Sequence, residues 1–119
     1  MPEASYSKNP LSALAEGRPR RRFPRHWISA SAEIVDMNTR MRLSARISEI
    51  GILGCYIDML NPLPVDTQIN LRIVRDAGTF LTSAKVIYTH PGFGMGAVFV
   101  DPPADQKAVL EEWLSQLDR

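Results

Sequence analysis

The sequence predicts an all-β domain with one terminal helix, in which a six-stranded antiparallel β-barrel is capped by a C-terminal α-helix. Two observations predict this fold class. Through the middle of the chain, apolar and polar residues alternate with the period of two that marks a half-buried strand. After residue 101 the apolar period lengthens to that of a helix. Short strands at close spacing followed by one helix are typical of a small capped barrel.

The N-terminal part of the chain divides into a tail and a cationic segment. Residues 1–17 are mixed in character, and we expect them to form a flexible tail. Residues 18–25, which we call the arginine hook, contain five arginines and no acidic residue. Because Pro19 and Pro24 restrict the backbone and the like charges repel one another, the hook is predicted to be extended and poorly packed.

The predicted barrel spans residues 26–101. Its clearest strand is 41–47, where four apolar residues alternate with arginines and a serine. Turn-forming residues at 36–39, 61–66 and 76–78 predict the loops between strands. The six strands are predicted at 27–35, 41–47, 52–59, 69–75, 79–89 and 97–100.

A C-terminal helix is predicted over residues 103–118. Asp101 and the two prolines that follow it are typical of a helix start. Val109 and Trp113 lie four residues apart, with leucines beside them, and so form an apolar stripe that is expected to pack on the barrel. Residues 18–119 are therefore predicted to be a single domain.

Composition excludes several classes of protein. With 119 residues, 45% of them hydrophobic, the chain can bury a compact core but cannot build a large enzyme around a deep cleft. One cysteine excludes a disulfide framework, and beside only two histidines it argues against a tetrahedral zinc site. Cys55 is instead predicted to be a buried strand residue. No apolar run approaches the about 18 residues of a membrane span, and the first twenty residues lack the apolar centre of a secretory signal, so we expect a cytoplasmic protein without membrane insertion.

Charge is unevenly distributed along the chain. The hook holds five of the 14 basic residues, which leaves nine basic residues against 13 acidic ones elsewhere. Such a concentrated cationic segment contacts phosphate, an acidic protein surface or solvent. Because the rest of the chain is net acidic, it offers no broad cationic face, and no specific DNA or RNA binding is expected.

Several segments together resemble the bacterial PilZ domain. The residues RRFPR stand at 21–25, directly before the first predicted strand, and an acidic residue and glycines follow at 49–54. NPLPV at 61–65, GMGAVF at 94–99 and the terminal helix extend the resemblance over roughly residues 18–118. The family's hallmark is Arg-x-x-x-Arg followed by Asp/Asn-x-Ser-x-x-Gly, and its members bind the second messenger cyclic di-GMP. The resemblance implies a PilZ-like barrel with no enzymatic activity, no metal and no cofactor other than this ligand.

The first half of the hallmark matches Arg21 and Arg25. Guanidinium groups suit a cyclic dinucleotide because their planar forks bond phosphate oxygens in pairs and stack on purine faces. The same spacing recurs within the hook and again on the second predicted strand. The resemblance selects Arg21 and Arg25 because they stand directly before the first strand, and Arg22 between them is also expected to contact the ligand.

The second half of the hallmark is altered, and two registers are open. In one, Ser48 and Gly51 match the family's Ser and Gly, and Arg46 takes the acidic position. In the other, Glu49, Gly51 and Gly54 take the Asp, Ser and Gly positions, and this register is preferred because the following segments then align without a gap. It leaves Glu49 one methylene longer than Asp and Gly51 without a hydroxyl, a loss expected to weaken binding by roughly tenfold or more. The expected ligand-binding residues are Arg21, Arg22, Arg25, Glu49, Gly51 and Gly54.

The function that the resemblance implies is that of a stand-alone binding module for cyclic di-GMP. The ligand would draw the arginine hook onto the barrel, and the ordered hook would signal to a downstream protein whose identity the sequence does not give. The alternative is a degenerate PilZ adaptor that does not bind the nucleotide and acts through protein–protein contact. The altered positions Glu49 and Gly51 keep that alternative open, whereas no motif favours a small enzyme.

Overall fold

Six strands and one helix make up the described part of the molecule. The structure is a computed structural model, and it describes residues 23–118. A single helix, α1 (Ala104–Leu117), follows the last of these strands. The strands are β1 (Arg25–Asp36), β2 (Arg42–Gly51), β3 (Gly54–Asp58), β4 (Gln68–Arg75), β5 (Gly78–His90) and β6 (Gly94–Val100).

The strands close into a barrel in the order β1-β2-β3-β6-β5-β4. All neighbouring strands are antiparallel, and the ring closes where β1 pairs with β4. The predicted fold class, a six-stranded antiparallel barrel with one C-terminal helix, is therefore confirmed. Alternation of apolar and polar residues identified the strands because a closed barrel buries one face of each strand and exposes the other.

The element boundaries differ from the predicted ones by a few residues. β1 begins at Arg25, one residue before the predicted barrel, so the last residue of the arginine hook belongs to a strand. β6 begins at Gly94, three residues earlier than predicted, because the backbone pairs with β3 through the glycine segment. α1 lies one residue inside the predicted limits at each end. The predicted tail and the remainder of the hook fall outside the described residues.

The core fills the barrel and consists mainly of aliphatic side chains. At its centre, Phe80 contacts Phe99 and Trp113 edge to face, with ring centroids 5.2 and 6.3 Å apart. Each such pair contributes about 0.5–1.5 kcal/mol beyond the area it buries. Cys55 is fully buried on β3, as predicted. The largest fully buried side chains are those of Phe80, Ile34, Ile47, Ile50, Ile57, Ile69, Leu71, Ile73, Met95, Leu110 and Val86.

The helix covers one side of the barrel. α1 packs on β5 and β1, and its buried residues Leu110 and Trp113 belong to the predicted apolar stripe or lie beside it. Gln106 Oε1 accepts a hydrogen bond from the Leu81 amide at 2.7 Å. Leu81 lies on β5 before the pairing with β6 begins at Ser83, so the helix supplies a partner that the neighbouring strand does not.

A side chain closes the turn between β1 and β2. Asp36 Oδ1 accepts hydrogen bonds from the amides of Asn38 and Thr39 at 2.8 and 3.2 Å. The bond from Asn38, aided by Thr39, lowers the pKa of the Asp36 carboxyl and outweighs the opposing effect of desolvation. The turn predicted at 36–39 is therefore confirmed, and it works because Asp bonds the backbone two residues onward.

Candidate functional site

Four of the six expected ligand-binding residues come together at one end of three strands. Arg25 starts β1, Glu49 and Gly51 end β2, and Gly54 starts β3. In the β1–β2 register Arg25 pairs with Gly51, and Trp27 pairs with Glu49. The other two expected residues, Arg21 and Arg22, lie outside the described residues.

These residues share the outer face of the barrel. Directly paired residues on neighbouring strands project to the same side, and residues two apart on one strand do so as well. Arg25, Trp27, Glu49 and Gly51 therefore form one patch. Ile50, between the last two, projects inward and is fully buried in the core. The patch thus lies on the opposite face of the sheet from the core, with Trp27 as its exposed member.

An ion pair joins the two charged residues of the patch. Arg25 Nε lies 3.4 Å from Glu49 Oε2, and the two side chains are only 7% and 10% exposed. The sequence predicted the hook to be extended and poorly packed. At Arg25 the backbone is extended, as part of β1, but the prediction of poor packing is wrong. The strand register brings the acidic side chain of β2 against it, and a charge is buried at modest cost only when it is paired.

Gly51 packs against the chain that enters β1. A Cβ atom added at Gly51 would lie 3.0 Å from the Pro24 carbonyl oxygen and 3.4 Å from Arg25 Cγ. A larger residue therefore requires Pro24 or Arg25 to move by a few tenths of an ångström. Gly51 thus lacks a hydroxyl at a position where Pro24 and Arg25, the last residues of the hook, pack closely against it.

Gly54 is fixed by the approach of β6. A Cβ atom there would lie 2.2 Å from the Ala97 carbonyl oxygen and 3.0 Å from Val98 Cα. Both are backbone atoms, so no rotation of a side chain relieves the clash. Glycine at this position is required by strand packing.

Arg46 and Ser48, which belong to the first register, make contacts away from Arg25. Ser48 lies where the β2–β3 pairing shifts between Ile47 and Glu49, and its hydroxyl donates to Asp58 Oδ1 at 2.8 Å. Arg46 Nη2 donates to the Ser29 hydroxyl. Ser48 therefore does not replace the hydroxyl that Gly51 lacks, since its own is directed toward β3.

An aromatic group on the same outer face was not found from the sequence. The row that begins with Trp27 and Glu49 continues through Tyr56 on β3 and Gly96 on β6 to Tyr88 on β5. The only local signal was the spacing of two between Tyr88 and His90, which places both on one face of a strand. Tyr56 joins them because β3 and β5 both pair with β6, which local patterns do not reveal.

His90 connects the two tyrosines. Its Nδ1 lies 3.0 Å from the Tyr56 hydroxyl, and its Nε2 lies 2.6 Å from the Tyr88 hydroxyl. A neutral imidazole has one donor and one acceptor, so one tyrosine donates to the ring and the other accepts from it. Burial raises the pKa of both tyrosines, and the charge of Asp58 adds to the effect at Tyr56. Both hydroxyls therefore stay protonated at neutral pH.

Gly94 on β6 packs closely against the ring of Tyr56. A Cβ atom at Gly94 would lie 2.4 Å from the Ile57 carbonyl oxygen and 2.7 Å from Tyr56 Cε2. The tyrosine ring therefore rests directly on the backbone of β6, which requires glycine there. Together with the contact to His90, this fixes the ring as a rigid part of the outer face.

Among residues 23–118, no three side chains of His, Cys, Asp or Glu are grouped so that they could hold a metal ion. Within the same residues, no helix has both the length and the apolar character that crossing a bilayer would require.

Comparison with solved structures gives several similar folds. The PilZ domain of YcgR from Escherichia coli, solved with c-di-GMP, is 14% identical with a TM-score of 0.69, over 84% of this chain and 92% of that chain. The PilZ domain of CeSA from a cellulose-synthesizing bacterium is 17% identical with a TM-score of 0.65, over 81% and 99% of the two chains. The Bacillus subtilis inhibitor of motility, MotI/DgrA, is 15% identical with a TM-score of 0.67, over 86% of this chain and 54% of that chain.

Sequence comparisons complete this result. A comparison with curated proteins gives no match. The family model of the PilZ domain matches residues 19–116, which is most of the chain and includes every expected ligand-binding residue. With the barrel, its terminal helix and the placement of the two motifs described above, the chain belongs to the PilZ domain family.

Proposed function

We propose that this protein is a binding module for cyclic di-GMP in the bacterial cytoplasm and not an enzyme. One observation carries the proposal: the barrel gathers Arg25, Glu49, Gly51 and Gly54, which take positions in the family's two motifs, at one end of β1, β2 and β3. Solved PilZ structures of YcgR from Escherichia coli and of PlzA from Borreliella burgdorferi contain c-di-GMP, which supports the choice of ligand.

The proposal uses the second of the two registers considered for the altered motif. Glu49 Oε2 lies 3.4 Å from Arg25 Nε. Arg46 instead contacts Ser29, and Ser48 contacts Asp58. In this proposal Glu49 orients the Arg25 guanidinium, and Arg21, Arg22 and Arg25 bind the phosphates and purine faces of the ligand.

Signalling is proposed to pass through the hook. In this proposal the hook and the barrel bind the ligand together. Because the ligand binds more tightly when the hook is ordered on the barrel than when it is not, binding shifts the hook toward the ordered state. The ordered hook then presents a surface to a downstream protein. The ligand's negative phosphates offset the hook's positive charge, so the bound surface is also less cationic than the free one.

Calorimetric titration of the purified protein with cyclic di-GMP tests the proposal, with cyclic di-AMP and GTP as controls. Arg21→Ala is expected to weaken binding by about 10- to 150-fold, because it removes one charge-assisted contact. Arg25→Lys keeps the charge but not the planar fork, so a smaller loss is expected. Arg40→Ala controls for bulk charge and should bind like the parent. Equal losses at Arg40 and Arg21 would indicate unspecific attraction.

The degenerate adaptor is the second candidate, and Gly51 is the observation that favours it. The position has no hydroxyl, and the Pro24 carbonyl is packed against it at 3.0 Å from where a Cβ would stand. An adaptor predicts no heat of binding at millimolar cyclic di-GMP from a protein that unfolds cooperatively. That result would overturn the receptor proposal.

A further inference from the structure

We propose that Trp27 is a stacking platform for one guanine base of the ligand. This role rests on the proposed binding of cyclic di-GMP and adds a residue that neither motif of the family contains. Trp27 in this role adds affinity for a planar base without selecting which base is bound.

The exposure of Trp27 is the first observation. Its side chain is 80% exposed, more than any other large hydrophobic residue in the described part of the chain. The second tryptophan, Trp113, is 5% exposed and packs in the core. The indole of Trp113 therefore contributes to the core, whereas the indole of Trp27 lies mostly in solvent and contributes little to folding.

The position of Trp27 is the second observation. It is the direct cross-strand partner of Glu49, so their Cβ atoms lie about 4.5–5.5 Å apart. Arg25 lies two residues before it on the same face, about 7 Å along the strand. A flat aromatic ring and a guanidinium thus belong to residues two apart on one face of β1, an arrangement that can hold a nucleotide by its phosphate and its base at once.

A strand irregularity supplies the third observation. The β1–β2 pairing shifts between Trp27 and Ala30, which inserts an extra residue into β1. Such irregularities are frequent beside functional sites, and β1 keeps its alternation of exposed and core-facing residues through this one. Ala30 is buried, and Ile28 between them is partly buried against the core, while Trp27 is turned to the outside next to the ion pair.

Affinity measurements on variants test the inference. Stacking of a base on an aromatic ring contributes about 1–3 kcal/mol, so Trp27→Ala is expected to weaken cyclic di-GMP binding by roughly 5- to 150-fold. Trp27→Phe keeps a ring and is expected to lose much less. Leu60→Ala removes an equally isolated side chain, 74% exposed, from the loop after β3 and should bind like the parent.

Fluorescence gives an independent readout of contact. A guanine stacked on the indole is expected to quench the emission of Trp27, while the buried Trp113 stays unchanged. In Trp27→Phe the quenching should disappear although calorimetry still records binding. Because the Trp27 side chain is exposed, the urea midpoint of both variants should match that of the parent.

The possible outcomes separate this inference from the proposed function. If the parent binds cyclic di-GMP and Trp27→Ala binds equally well without any change in parent emission, the stacking role is overturned and the receptor function stands. An equal loss in Leu60→Ala would also overturn it, because the effect would then reflect apolar surface in general. If the parent does not bind, both the receptor function and the stacking role are overturned.

Discussion

At the scale of single residues, the pairing of Arg25 with Glu49 has consequences for stability as well as for binding. The two side chains are nearly buried, at 7% and 10% exposure. Because little water reaches either charge, each one is compensated by the opposite charge of its partner. An exposed arginine contributes little to folding. This one is part of a strand, and it anchors the point where the hook meets the barrel.

Replacing Arg25 by alanine is therefore expected to destabilise the protein. Removing one partner of a buried pair leaves the other charge uncompensated, which costs about 3–5 kcal/mol. Arg42→Ala, an exposed arginine at the other end of β2, is the matched control and should change stability by no more than about 0.5 kcal/mol. Urea unfolding followed by circular dichroism measures both. Equal midpoints for the two variants would show that the ion pair contributes nothing.

Gly51 allows the effect of the missing hydroxyl to be isolated. Gly51→Ala and Gly51→Ser both introduce a Cβ near Pro24, so both require the same small movement. Only serine restores a donor, and a hydrogen bond to a charged group contributes about 1.5–3 kcal/mol. We expect Gly51→Ser to bind cyclic di-GMP roughly tenfold or more tightly than Gly51→Ala. Indistinguishable calorimetric affinities would mean that the hydroxyl position does not face the ligand.

At the scale of elements, the helix is held by few side chains. Leu110 and Trp113 are its buried residues, and Trp113 contacts Phe80 in the barrel. Trp113→Ala is expected to cost about 3–5 kcal/mol, as for other large-to-small changes in a core. Leu114, the next residue of the helix, is only partly buried, so Leu114→Ala should cost less. Thermal unfolding compares the two, and a larger loss for Leu114→Ala would place the helix on the barrel through a different face.

At the scale of the whole molecule, Cys55 reports on the opening of the closed barrel. It is fully buried on β3, and burial raises the pKa of its thiol, so the reactive thiolate is suppressed in the folded protein. A thiol reagent should label it only when the barrel opens. Labelling should therefore be slow in buffer and fast in urea, and Trp113→Ala should accelerate it by roughly two to four orders of magnitude. Rapid labelling of the native protein would show that β3 opens locally.

The amino-acid pattern alone determined the class of fold, the number of strands and the terminal helix. These follow from local rules: a period of two for a half-buried strand, a period near four for a helix packed on one side, and turn-forming residues between them. The family resemblance added the expected ligand. It also singled out Arg25, Glu49, Gly51 and Gly54, because the family's two motifs can be aligned along the chain itself.

The tertiary structure decided which of these residues touch and which residues join them. The ion pair of Arg25 with Glu49 depends on the β1–β2 register. That register shifts between Trp27 and Ala30, and the β2–β3 register shifts at Ser48. The alternation of apolar and polar residues encodes neither shift. Tyr56 and His90 meet only because β3 and β5 both pair with β6. Contacts between distant segments depend on how the barrel closes, and closure is a property of all six strands together.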